Sequence, residues 1–152
     1  MSLKRGVGSL EKEYTRYRLD SEQFEPVEML RHPNGLCVLS LSTESRVHTL
    51  TVEKVEFPDN RKVTVAKRTK GALRLEANSR LCTVVCSSGV RLDVRPLVGC
   101  DLVEVNERLG QQPALIQCAA RSGGYVAVCR PRPSDWTRQA HVTHLQPADP
   151  DT

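Results

Sequence analysis

Apolar and polar positions alternate with a period of two through most of the middle of the chain. Leu36-Cys-Val-Leu-Ser-Leu-Ser42 and Val47-His-Thr-Leu-Thr-Val52 alternate well enough to predict strands, as do Lys62-Val-Thr-Val-Ala66 and Val90-Arg-Leu-Asp-Val94. Leu81-Cys-Thr-Val-Val-Cys86, Leu102-Val-Glu-Val105 and Tyr125-Val-Ala-Val-Cys129 complete the predicted set. Turn formers separate them at Pro33-Asn-Gly35, Pro58-Asp-Asn60, Ser87-Ser-Gly89, Val98-Gly99 and Ser122-Gly-Gly124. Strands that recur about every ten residues predict an all-β sandwich or barrel. One short connecting helix interrupts them: Asn106 is an N-cap for residues 107–112, Glu107 sits at its positive end and Pro113 limits its length.

The ends read differently. Residues 1–13 are polar and contain glycine, and residues 132–152 carry Pro133, Pro147 and Pro150 among polar side chains. Both are expected to be flexible tails flanking one domain over residues 14–131. A chain of 152 residues has room for one core of that size. It contains no apolar stretch long enough to span a bilayer and no continuous hydrophobic region of a secretory signal, so cytosol or nucleus is the expected compartment. In that setting Cys37, Cys82, Cys86, Cys100, Cys118 and Cys129, dispersed among apolar residues, read as reduced small hydrophobic residues.

Charge sharpens the picture. The chain carries +4, yet residues 60–75 alone hold Arg61, Lys62, Lys67, Arg68, Lys70 and Arg74 without an acid, so the rest is net −2. The positive charge is local, and it predicts a patch for an acidic partner.

Candidate chemistry is sparse. Cys82 and Cys86 on a strand share a face about 13 Å apart and cannot chelate one ion. His141 and His144 have a helix-compatible metal spacing but no neighbouring carboxylate or cysteine in the C-terminal tail. Lys70-Gly71 lacks the flanking pattern of a phosphate loop. Ser87 and Ser88 lack a nucleophile-elbow context. Glu104 and Glu107, at a strand-to-helix junction, have no sequence reason to be buried as an acid/base pair. No catalytic residue, metal site or cofactor site is predicted, and no enzyme activity.

The order Val98-Gly-Cys-Asp-Leu-Val-Glu-Val-Asn-Glu-Arg-Leu109, Gln112-Pro-Ala-Leu-Ile116, Gly123-Gly-Tyr-Val-Ala-Val128 resembles the second half of the lipoyl-carrying H protein of the glycine cleavage system. That resemblance implies a barrel-sandwich hybrid of two antiparallel sheets. A resemblance over about residues 14–131 is to the Abitram (Simiate) family. It rests on Tyr14-Thr-Arg-Tyr17, Leu30-Arg-His-Pro-Asn-Gly-Leu-Cys-Val38, Lys67-Arg-Thr-Lys-Gly-Ala72, Leu81-Cys-Thr-Val-Val-Cys-Ser-Ser-Gly89, Leu102-Val-Glu-Val-Asn-Glu107, Pro113-Ala-Leu-Ile116 and Gly124-Tyr-Val-Ala-Val128. The chain departs from the family pattern over residues 44–60 and in its proline-rich C-terminal segment.

The family resemblance implies the H-protein-like fold without its carrier chemistry. It also implies a non-enzymatic actin-binding protein that modulates actin polymerisation and filopodia, in nucleus and cytoplasm. Actin is the expected partner, with other nuclear proteins or RNA as further candidates, and neither a membrane nor a small-molecule substrate is expected. The contact candidates are Lys67, Arg68 and Lys70, where a family-like basic motif coincides with the charge run; the plain alternative is a solvated loop. An acyl carrier or metabolic accessory factor is the competing reading. A carrier needs a lysine at a hairpin tip, and the H-protein spacing places that position at about Ser88. No lysine follows Lys70. A nucleic-acid-binding module is the third, weakened by the lack of aromatic residues among the basic ones.

Overall fold

The computed structural model describes residues 14–58, 73–137 and 142–145. The predicted strand at residues 62–66 and the N-terminal segment lie outside the described residues. The strands are β1 (Thr15–Leu19), β2 (Val27–Arg31), β3 (Cys37–Leu41), β4 (Val52–Glu56), β5 (Leu73–Leu75), β6 (Cys82–Cys86), β7 (Arg91–Val94), β8 (Cys100–Val105), β9 (Ala127–Arg130) and β10 (Val142–Leu145). A five-residue helix, α1 (Pro133–Thr137), precedes β10. The strands form a seven-stranded sheet ordered β10-β1-β2-β3-β9-β8-β5 and a three-stranded sheet ordered β4-β6-β7. All the pairings among these strands are antiparallel.

Period-two alternation puts one row of each strand into a shared core. Val27 and Met29 of β2, Leu39 and Leu41 of β3, Leu102 of β8 and Cys129 of β9 join Val84 and Cys86 of β6 and Leu92 and Val94 of β7 in one apolar cluster. β3 lies inside the larger sheet between β2 and β9, and all five of its residues are buried, as a central strand requires. The larger sheet curls. β5 and β1 lie towards opposite ends of its strand order, yet α1, about 7.5 Å long at the usual helical rise, touches both: Asp135 bonds Arg74 of β5, and Trp136 packs on Tyr17 of β1. The architecture is the expected all-β barrel-sandwich hybrid.

Five of the six cysteines are buried and Cys118 is exposed; none forms a disulfide. Burial pushes the Cys37 thiol up to about 12, and a hydrogen bond with Cys100 together with burial raises Cys129. These thiols pack as apolar side chains and are poor nucleophiles.

Two expectations are corrected. The alternation at residues 47–52 does not make a strand: Arg46–Thr49 is a 3-10 helix and β4 starts only at Val52. Val47 and Leu50 are three apart, the repeat of a 3-10 turn as well as part of a loose alternation. What decides is capping. Ser45 Oγ accepts from the Val47 amide, and the Glu25 carboxylate takes the Arg46 amide at 2.9 Å and its guanidinium at 3.0 and 3.1 Å. Gln117 then donates to the Val47 and Leu50 carbonyls. Secondly, residues 132–152 are not a free tail throughout. Pro133–Thr137 is helical and Val142–Leu145 pairs with β1, because Asp135 and Trp136 find partners on strands far away in sequence.

Candidate functional site

The motif that carries the H-protein resemblance holds the fold together. Asn106 is 2% exposed and uses its whole amide: Oδ1 accepts from the Arg108 amide at 3.2 Å, while Nδ2 donates to the Gly123 and Tyr125 carbonyls, both at 2.9 Å. It thus caps the 3-10 turn Glu107–Gly110 and fastens it to the chain entering β9. The predicted helix over residues 107–112 is realised as that turn. Glu104 and Glu107 are both exposed, and the capping is done by Asn106. Asn106→Ala leaves two part-buried carbonyls without their donor and the 3-10 turn without its cap, and is expected to cost about 2 kcal/mol in urea unfolding. An unchanged denaturation midpoint would show the network to be dispensable.

The first glycine of the motif serves a distant contact. A Cβ on Gly99 would lie 2.7 Å from both Arg74 Nη2 and Asp135 Oδ1. A side chain there would push the pair out of its present geometry. Arg74 donates Nη2 to Asp135 Oδ1 at 2.5 Å and Nη1 to Oδ2 at 3.0 Å. Asp135 is 5% exposed, and its Oδ2 also accepts the Arg132 amide at 2.7 Å, the reach-back bond of a helix's third residue to its cap. The Arg74 hydrogen bond is the main cause that holds the Asp135 carboxyl below its ordinary range, and the same bond raises Arg74. Arg132 itself bonds Asp101 of β8 through two nitrogens at 3.2 Å. Sequence reasoning missed this clasp, although Pro133 followed by Asp135 before Trp136 is a helix-start signal.

The position where a carrier would present its lysine is formed. β6 and β7 make a hairpin whose tip, Ser87, Ser88 and Gly89, is exposed, with the Gly89 amide on the Cys86 carbonyl and Gly89 at φ 82°. The tip offers hydroxyls. A hydroxyl cannot form the stable amide by which a lipoyl group is carried.

Lys67, Arg68 and Lys70 lie outside the described residues, but the two ends of their segment are placed. It leaves β4, an edge of the three-stranded sheet, and returns at β5, an edge of the seven-stranded sheet. Of the six cations in residues 60–75, Arg74 is spent within the fold, on Asp135 and, at 3.6 and 4.0 Å, on Asp101 and Glu76. The other five cations of the run lie outside the described residues.

Among the described residues no group of three or more His, Cys, Asp or Glu side chains is arranged to hold a metal ion. Cys82 and Cys86 point into the core. His144 stands opposite Tyr17 in the register of β10 with β1, and His141 lies outside the described residues. A solvent-open cleft of about 370 Å³ between the turns after β1 and β5 is lined by Asp20, Glu22, Asn78 and Leu97 among others. Among the described residues no histidine or cysteine lines it.

Comparison with known proteins agrees with this frame. The fold resembles that of a glycine cleavage system H protein from Mycobacterium marinum, with a TM-score of 0.54 and 17% identity over 86% of this chain and 90% of that one. No protein-family model matches. An uncharacterized protein of Caenorhabditis elegans is 33% identical over 73% of this chain and 74% of its own length. Protein Abitram of Dictyostelium discoideum is 26% identical over 83% and 77%, and that of Homo sapiens 29% over 68% and 62%. Over most of its length the chain is similar to proteins named Abitram. The Abitram-like motifs noted in the sequence map onto β1 to β3, the β6–β7 hairpin and the stretch from β8 to β9, except the one at residues 67–72, which lies outside the described residues.

Proposed function

We propose that the protein is a non-enzymatic actin-binding module of nucleus and cytoplasm that modulates actin polymerisation, and that Lys67, Arg68 and Lys70 supply its contact. Similarity to proteins named Abitram over most of the chain, a family that the sequence motifs resemble, supports the actin reading. The observation that carries the site is the run of cations tethered between two sheet edges, whose only described member, Arg74, is the one already neutralised by the fold. The serine tip where a carrier needs an amine supports binding over carriage.

Charge reversal at all three positions, Lys67→Glu, Arg68→Glu and Lys70→Glu, is expected to weaken actin co-sedimentation at least about tenfold at low salt, the scale on which a charged patch steers association. The fold is expected to be retained, since lysine and arginine are seldom buried and surface substitutions stay within about 0.5 kcal/mol. Wild-type binding should also fall with added salt, exposed charges being screened over about 8 Å at physiological ionic strength. RNA is titrated in parallel, because a phosphate backbone attracts the same cations. If the folded triple variant sediments with actin as the wild type does across the salt series, the segment is a solvated loop.

A further inference from the structure

The C-terminal strand occupies one end of the larger sheet, and its position there has a consequence for binding. Among the described residues β10 pairs on one side only, with β1, in the register Arg16–Leu145, Tyr17–His144, Arg18–Thr143 and Leu19–Val142. Four residues are a short grip for a sheet edge, and a strand bonded on one side opens more readily than a central one. Beneath it, β1 is well fixed: β2 pairs with all five of its residues, and Leu19 is fully buried. Withdrawal of β10 would leave a firm strand with a row of unpaired N–H and C=O groups, the template to which an extended peptide adds.

We propose that the β1 edge is a strand-addition site for an uncharged, extended segment of a partner protein, closed in cis by β10 and kept closed by the clasp of α1. The chemistry of the occupant follows from the charges around the edge. Arg16 is bonded to Glu28 at 2.6 Å, and Arg18 to Asp20 and Glu44 at 3.2 and 3.3 Å. Both cations on β1 are already matched, and the nearby Arg31 guanidinium is engaged with the Trp136 ring, so an acidic strand would find its carboxylates beside Glu28, Asp20 and Glu44. A second copy offering its own β1 fares worse. Antiparallel self-pairing about Tyr17 sets Arg16 of one chain opposite Arg18 of the other, and like charges directly opposite are unfavourable. Val142, Thr143, His144 and Leu145, the cis occupant, include no acid, lysine or arginine. A partner strand of the same character fits the edge.

The clasp is what holds the cis strand near. α1 is joined to the body by the Arg74–Asp135 pair, by Arg132 on Asp101 and by Trp136, whose ring lies 5.3 Å from Tyr17 and 5.0 Å from the Arg31 guanidinium. Only residues 138–141 separate its end from β10. Loosening α1 lowers the local concentration of the strand at its own edge, and the apparent affinity for a competitor rises with the fraction of open chains.

The test uses the full chain and a synthetic peptide of residues 140–147. Thr143→Pro with His144→Pro removes two adjacent N–H groups from β10, one of which must face β1 in any register. This variant is expected to bind the labelled peptide at least about tenfold tighter than the wild type by fluorescence anisotropy, with slowed hydrogen exchange confined to Arg16–Leu19. Asp135→Asn should move peptide affinity in the same direction by several-fold. A peptide with Glu at positions 143 and 145 should bind less tightly. A folded proline variant that binds no peptide, or that dimerises instead, overturns the proposal, and equal affinity for the acidic peptide overturns the assigned chemistry. Should the proline variant unfold, wild-type chain in excess peptide decides the matter: unchanged exchange at the β1 amides rejects the site.

Discussion

Gly124→Ala is expected to cost more than about 3 kcal/mol, enough to leave much of the chain unfolded at physiological temperature. The reason is space. An added Cβ would collide with the Cys118 carbonyl oxygen and lie 2.6 Å from the Leu115 carbonyl oxygen. Both are backbone atoms of the turns that close onto β9, so neither can swing aside as a side-chain tip would, and the Gly124 amide is itself engaged with the Ala119 carbonyl at 3.0 Å. Gly123, its neighbour, provides the control. It has φ 92°, a left-handed conformation that a Cβ disfavours by about 1–2 kcal/mol, but the nearest atom to its added Cβ is the Arg108 Nη1, on a long and exposed side chain that can give way. Gly123→Ala should therefore be the milder change. Urea denaturation of the two variants checks the order; a reversed ranking would mean that backbone conformation, not close approach, is what this turn demands.

That contrast also shows what the sequence makes legible. The Ser122-Gly-Gly124 turn, the Asn106 cap and the Ser87-Ser-Gly89 hairpin are local devices, each settled by residues within a few positions, and each is found where the pattern puts it. The core faces of β3, β6, β7 and β8 follow from alternation for the same reason. Residues 47–52 misled because the choice between strand and 3-10 turn is made by Glu25 and Gln117, which come from about twenty residues before and seventy after. β1, β2 and β5 were not singled out: Thr15–Leu19 mixes arginines into its alternation, Val27–Arg31 is buried at four consecutive positions, and Leu73–Leu75 is only three residues long. The C-terminal element was hidden furthest. Nothing near Asp135 in sequence announces that Arg74, 61 residues earlier, will meet it, or that Gly99 is a glycine to let them meet. Of the candidate site, the charge run was legible as charge, and its anchoring between two sheet edges required the topology.

Asp135→Ala is expected to destabilise the protein by about 3 kcal/mol, lowering the melting temperature by roughly 10 °C. It removes both bonds to Arg74 and the acceptor of the Arg132 amide at once, leaving a half-buried guanidinium with only its longer contacts to Asp101 and Glu76. Asp135→Asn keeps the shape and an acceptor oxygen but not the charge, so its loss should be smaller and should reveal itself through pH. The carboxyl of Asp135 is held below its ordinary 3.8 in the folded state, and that of Glu25 below 4.5, where burial pushes up but the bonds from Ser45 and Arg46 outweigh it. For a group whose folded value is depressed, the stabilisation is complete above the unfolded value and is lost as pH falls towards the folded one. Wild-type stability should then be flat above about pH 5 and decline below about pH 4.5, Glu25 entering first and Asp135 after it. The gap between wild type and Asp135→Asn should stay constant from neutral pH down to about pH 5 and narrow below 3.8, because acid deprives only the wild type of the charge that the variant already lacks. A gap that keeps its neutral-pH size into that acid range would show that Arg74 is held by the shape of residue 135 and not by its charge.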